Sequence, residues 1–126
     1  MVRTIEDVTF INVTPHPVTL QYPDGRAVSI PPSGYLVNAR PIEAPAGAFC
    51  GAALVKTRFA PDAASLAALD RLEETDAAQD ERQIVLGSII AAQAYPGRVL
   101  AMVPVPGFER VPPAEKRMRA DKFTVF

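Results

Sequence analysis

At 126 residues, with 48% hydrophobic and 21% charged residues, the chain has the size and composition of one globular domain and not of a disordered segment. Thirteen Lys and Arg against fourteen Asp and Glu give a net charge of −1, without the basic excess of a dedicated nucleic-acid-binding protein. The single cysteine, Cys50, excludes an intrachain disulfide and a cysteine zinc cluster.

Two features of the sequence concern the location of the protein. The longest nearly uncharged stretch, residues 83–95, is shorter than the roughly 20 residues that a membrane-spanning helix needs. Residues 1–7 lack the basic region followed by an apolar run that marks a secretory signal. We therefore expect the protein to stay in the cytoplasm of the cell that makes it, without a membrane partner.

The first part of the chain predicts short strands divided by proline corners. Residues 8–13 are rich in β-branched and aromatic side chains, and this strand should stop at Pro15, whose nitrogen carries no hydrogen. Residues 18–21 and 27–30 flank Tyr22-Pro23-Asp24-Gly25, in which proline presets one turn angle and glycine accepts a positive φ. This pattern predicts a β-hairpin.

A further strand is predicted at residues 35–40, which alternate between apolar and small or polar side chains. The pattern weakens between residues 45 and 60, where residues 52–57 are a moderate strand candidate. Seven prolines between Pro15 and Pro45 favour short strands with stiff corners, because each proline pushes the residue before it toward an extended conformation. A compact antiparallel sandwich or small barrel would hold such strands.

A helix is predicted at residues 62–74, because Pro61 suits a first helical turn and Asp62 suits a helix N-terminus. Three leucines recur at every third position and are expected to face the sheet: Leu66, Leu69 and Leu72. The helix belongs to an acidic helical insertion at about 61–82 within a single domain, 1–126. The sequence leaves open whether residues 75–82 prolong the helix or form a loop.

The last third of the chain predicts two more strands and a short helix before the terminal strand. Residues 83–88 predict a buried apolar strand, and residues 89–95 predict a short helix that ends at Pro96-Gly97. Residues 99–103 predict another strand, and residues 123–126 alternate aromatic and polar or branched side chains as a last strand would. The expected fold is therefore mainly β, of the α+β class.

The charges are unevenly distributed along the chain. Residues 62–82 hold seven acidic side chains against two arginines, whereas residues 115–122 hold four basic side chains against two acidic ones. These segments are either two solvated faces that attract each other or a docking patch for a partner.

No group of residues matches a known catalytic or metal-binding pattern. His16 is the only histidine, and the potential ligands within ten residues of it are the carboxylates of Glu6, Asp7 and Asp24. None of the four serines lies in a Gly-x-Ser-x-Gly elbow, and Cys50 is expected to be a small core residue. We therefore expect no enzyme activity, no catalytic residue, no metal and no cofactor, with His16 in a structural role.

The segment Ile11-Asn12-Val13-Thr14-Pro15-His16-Pro17-Val18 resembles the Asn-Leu-Thr-Pro-His-x-Val opening of a family of small uncharacterised proteins. Bacteriophages, prophages and high-GC bacteria encode this family. Shorter pieces are similar to it as well: Asp24-Gly25, residues 30–34, Ala39-Arg40, residues 84–91 and Phe123-Thr124-Val125. The resemblance is patchy and leaves out residues 45–82. It implies a phage or mobile-element origin and assigns no role to any residue.

Two functions are consistent with this reasoning. The first is a noncatalytic phage structural or accessory protein, such as a capsid decoration or stabilising protein, which would assemble in the host cytoplasm, reside in the virion and bind other virion subunits or its own copies. The alternative is a small phage-encoded binding module that sequesters a nucleotide signal or inhibits a host defence protein. Neither function needs dedicated nucleic-acid binding.

Each function predicts its own interaction residues. A ligand pocket needs convergent polar groups, and four residues are the candidates for it: Asn12, Thr14, His16 and Arg40. Assembly by strand addition needs an open sheet edge, for which residues 8–13 and the terminal segment with Phe123 and Phe126 are the candidates.

Overall fold

The computed structural model describes residues 3–73 and 82–126, with the side chain of Glu73 left out. It is mainly β, with 48% strand and 17% helix, which confirms the β-rich α+β class. The strands are β1 (Arg3–Ile5), β2 (Val8–Asn12), β3 (Val18–Gln21), β4 (Ala27–Ile30), β5 (Ala39–Phe49), β6 (Ala52–Pro61), β7 (Gln83–Gly87), β8 (Leu100–Pro104) and β9 (Met118–Thr124). The helices are α1 (Ala63–Glu73), α2 (Ile89–Ala94) and a 3₁₀ turn at Pro113–Glu115. Within the described ranges, no helix has the length and apolar character needed to cross a membrane.

Seven strands form one nearly closed, barrel-like sheet in the order β1-β2-β7-β8-β9-β3-β4. Its strand directions are mixed, which differs from the mainly antiparallel sheet expected above. The pairs β1/β2, β8/β9 and β3/β4 are antiparallel, whereas β2/β7, β7/β8 and β3/β9 are parallel. Parallel neighbours need a crossover connection, and α2 provides it between β7 and β8. The strand and short helix predicted after residue 83 are thus confirmed as one crossover unit.

The barrel closes where the end of β4 meets β2. Asn12 forms an isolated bridge with Pro32, and the Ser33 N–H donates to the Asn12 carbonyl over 2.8 Å. At the other end of β4, the Arg26 guanidinium donates to the Glu6 carboxylate over 2.6 Å, and this hydrogen bond raises the pKa of Arg26. The two sheet ends are therefore linked through both side chains and backbone.

The sheet buries apolar side chains on both of its faces. Four strands contribute one fully buried residue each to the barrel interior: Phe10, Leu20, Ile30 and Leu86. The outer face carries Ile11, Val13 and Val99 beneath α1 and α2. Because successive side chains of a strand point to opposite faces, the unbroken burial from Thr9 to Val13 follows from cover on both sides.

Helix α1 starts and ends within one residue of the predicted bounds, but the prediction for Leu66 is wrong. Leu69 and Leu72 are buried, whereas Leu66 is 37% exposed. The buried stripe is Ser65, Leu69 and Leu72, at spacings of four and three residues, because the helix turns about 100° per residue and strict three-residue steps drift off one face. The sequence left open whether residues 75–82 form a helix or a loop. Residues 75–81 lie outside the described ranges.

The strand predicted at residues 35–40 is wrong for residues 35–38, which adopt no regular structure. Their backbone groups bind elsewhere, since the Val37 N–H donates to the Val13 carbonyl and the Asn38 N–H donates to the Ser65 hydroxyl. The strand begins at Ala39 and continues to Phe49, through the region with the weak sequence pattern. It pairs with β6 in a separate two-stranded sheet, which we call the arm (residues 39–61).

Candidate functional site

The candidate polar residues Asn12 and Thr14 meet in the corner after β2, where the Asn12 side chain is fully buried. Its Oδ1 accepts from the Thr14 N–H over 2.9 Å and from the Thr14 hydroxyl over 2.6 Å. Its Nδ2 donates to the His16 carbonyl over 2.7 Å and to the Ile30 carbonyl over 3.2 Å. A side-chain amide has two donors and two acceptor positions, so Asn12 uses its whole hydrogen-bonding capacity inside the protein.

The same corner accounts for Thr14 and His16. The Thr14 hydroxyl lies 3.0 Å from the His16 carbonyl as well, and its single proton serves one acceptor at a time. His16 contributes its carbonyl to the corner, while its side chain is exposed. The Asn-x-Thr-Pro-His-Pro pattern thus forms a side-chain-stabilised turn between two proline-limited strands. Three of the four predicted pocket residues, Asn12, Thr14 and His16, therefore lie together, and the polar groups of Asn12 bind the chain itself.

The other candidate residues lie elsewhere. Arg40 is exposed on β5, paired with Ala60 in the ladder. Phe123 is partly buried against the barrel interior, and Phe126 follows the end of β9 with 49% of its surface exposed. Strand β2 lies between β1 and β7, and β9 lies between β8 and β3. Neither strand proposed for strand addition is an edge strand of the seven-stranded sheet.

The described part of the body contains a surface groove and a smaller cavity. A surface groove of about 400 Å³ lies between β3 and the 3₁₀ turn, beside Phe108 and Lys116. Its Arg117 guanidinium is engaged, because it donates to the Gln21 amide oxygen over 2.8 Å and lies 5.5 Å from the Phe108 ring centroid. A smaller cavity of about 130 Å³ lies beneath α1, beside Leu69 and Leu72. Across residues 3–73 and 82–126, no three His, Cys, Asp or Glu side chains group as metal ligands would.

The arm was predicted only in part: the strand candidate at residues 52–57 lies within β6, but the sequence predicted neither the length of β5 nor the pairing of the two strands. Its two strands run for 11 and 10 residues, and nearly every side chain outside its base is exposed. Phe49, Leu54 and Val55 are 70%, 45% and 48% exposed. Such a concentration of exposed apolar groups in one protruding element is typical of an interaction surface.

The turn of the arm explains one wrong prediction. Cys50 and Gly51 occupy it with φ values of 51° and 78°. Two consecutive residues with positive φ match the tight hairpin turn whose twist fits that of the flanking strands. Cys50 is exposed there and is not the core residue that its small neighbours indicated. An Asn-Gly or Asp-Gly pair would have revealed the hairpin, and Cys-Gly is not a usual turn signal.

The base of the arm is fixed to the body through Tyr95, which is buried at the end of α2. The Tyr95 hydroxyl donates to the Asn38 carbonyl over 2.8 Å and accepts from the Asp62 N–H over 2.9 Å. Asn38 immediately precedes β5, and Asp62 immediately follows β6. One side chain therefore holds both ends of the arm.

No family model, no curated protein and no solved structure matches the chain.

Proposed function

We propose that the chain is a noncatalytic structural or accessory protein of a bacteriophage, acting as a virion component such as a capsid decoration or stabilising protein. The observation that carries the proposal is the arm. A two-stranded ribbon with exposed Phe49, Leu54 and Val55 has no packing partner within the described chain beyond its base. A neighbouring subunit in an assembly would supply that partner.

The compact body of the protein supports the same role. The barrel buries apolar residues on both faces of its sheet, and the Tyr95 hydroxyl ties both ends of the arm to this body. In a symmetric particle many identical contacts act together, so a small apolar patch on each copy is enough for stable attachment. The resemblance of residues 11–18 to a phage and prophage family adds the phage context.

The polar corner supports the structural role over the binding-module alternative. A pocket for a nucleotide needs donors and acceptors that are free to meet a ligand. The four hydrogen-bonding positions of Asn12 are already paired with Thr14, His16 and Ile30. The corner thus accounts for its motif without a ligand.

Quantitative mass spectrometry of purified phage particles tests the proposal. The protein should be present in a fixed ratio to the major capsid subunit. The double variant Phe49→Ser with Leu54→Ser should fold, as judged by circular dichroism, and should be depleted from particles. Val125→Ser is the matched control, because Val125 is 67% exposed and lies outside the arm. Absence of the wild-type protein from particles, with a free pool in the infected cell, would refute the virion role and favour the binding module.

A further inference from the structure

The two edges of the arm differ in their ability to accept another strand. β5 carries Pro41 and Pro45, whereas β6 has no proline before Pro61 at its end. Proline has no N–H and obstructs an approaching strand, so it protects an edge against pairing. The β6 edge lacks that protection along residues 52–60.

The positions of the prolines also show which β6 groups face the open edge. Residue pairs in an antiparallel ladder alternate between those that exchange both hydrogen bonds and those whose N–H and C=O point outward. Pro41 pairs with Phe59, and Pro45 pairs with Val55. Because proline cannot donate, these are pairs of the outward kind. The N–H and C=O of Val55, and of Thr57 two residues further on, therefore point toward the open edge.

We propose that the β6 edge pairs with the β6 edge of a second copy of this chain, in antiparallel register around a two-fold axis at Val55. The two arms then form a continuous four-stranded ribbon, β5-β6-β6-β5. The contact is self-complementary, as a two-fold interface between identical chains requires. This inference deepens the proposed structural role by naming the partner of the arm.

Charge selects this register. The exposed β6 edge carries two cations, Lys56 and Arg58, and like charges directly opposite each other destabilise a sheet. With the axis at Val55, Lys56 lies opposite Leu54 of the second copy and Arg58 lies opposite its Ala52. Leu54 then packs against the methylene stem of Lys56.

Neighbouring registers are worse. An axis at Lys56 would place two lysines opposite each other, and an axis at Thr57 would place each Lys56 opposite an Arg58. An axis at Leu54 also separates the cations but shortens the paired length and brings Arg58 opposite the turn residue Cys50. The register at Val55 is thus the longest that separates the cations.

Size-exclusion chromatography with light scattering, over a range of concentrations, tests the pairing. The wild-type chain should shift from 13.5 kDa toward twice that mass as concentration rises. Val55→Pro removes an outward N–H and leaves the β5/β6 ladder intact, so it should remain monomeric. Glu43→Pro is the matched control, because it changes the opposite edge of the arm and should still dimerise. A wild-type chain that stays monomeric throughout, or a Val55→Pro chain that dimerises normally, would overturn the inference.

Disulfide trapping provides a second measurement that does not depend on the proline variant folding. In a Cys50→Ser background, the Val55→Cys variant should oxidise to a covalent dimer, because the two copies of residue 55 lie opposite each other. The Leu54→Cys variant should form much less covalent dimer, because residue 54 lies opposite Lys56 of the second copy. Equal cross-linking at both positions would contradict the register. These experiments use the purified chain, so a dimer that is absent from particles refutes only the virion role, and a particle-bound chain without this dimer refutes only the inference.

Discussion

Replacing Asn12 with Leu, a near-isosteric change, should strongly destabilise the fold. The substitution removes four hydrogen bonds and takes from the buried Ile30 carbonyl its side-chain donor. The Thr14 N–H also loses its acceptor in a partly buried site. The His16 carbonyl also loses a donor, but His16 is exposed, so water can replace this hydrogen bond. Since a neutral hydrogen bond contributes about 0.5–1.5 kcal/mol and a buried unpaired group costs about 1–3 kcal/mol, we expect a loss of about 3–5 kcal/mol.

Urea unfolding, monitored by far-ultraviolet circular dichroism, measures this loss of stability. The m-value should be the same for the wild-type chain and the variant if the variant remains compact. Thr14→Val is the matched control, because it removes only the hydroxyl of the corner and should cost about 1 kcal/mol. A cost below about 1 kcal/mol for Asn12→Leu would refute the reasoning. The corner would then not depend on Asn12, and its amide would again be a candidate ligand-binding group.

Three further substitutions test the packing by the same unfolding assay. Leu69→Ala should cost about 2–5 kcal/mol because Leu69 lies on the buried face of α1, whereas Leu66→Ala should cost under about 1 kcal/mol because Leu66 is exposed. Gly87→Ala places a methyl group 2.4 Å from Val99 Cγ1, so it should cost about 1–3 kcal/mol, and Val99→Ala in the same chain should recover part of that loss. Tyr95→Phe leaves two backbone groups at the arm base unpaired and should cost about 1–3 kcal/mol, with faster proteolysis of the arm; unchanged proteolysis would show that the arm is held by other contacts.

The sequence predicted those elements whose local pattern and tertiary environment agree. The hairpin at residues 18–30, helix α1 and the β7-α2 unit follow from turn residues, helix-terminal residues and apolar runs, and all are present. The sequence could not predict which strands close the barrel, because the closure depends on a hydrogen bond from the Asn12 side chain to the Ile30 carbonyl, 18 residues further along the chain. No local pattern specifies such a contact.

The arm shows the opposite situation, in which local preference and structure disagree. β5 contains prolines, alanines and a glycine, which are poor strand formers, and an isolated two-stranded hairpin is at best marginally stable in water. Its base is held by Tyr95, but its outer half has no such support within the described chain. A ribbon of this composition gains most from pairing in a wider sheet, because each added strand satisfies an open edge and covers exposed apolar side chains. The weakness of the strand signal and the exposure of Phe49 and Leu54 thus have one physical explanation, in which the arm is stabilised by assembly.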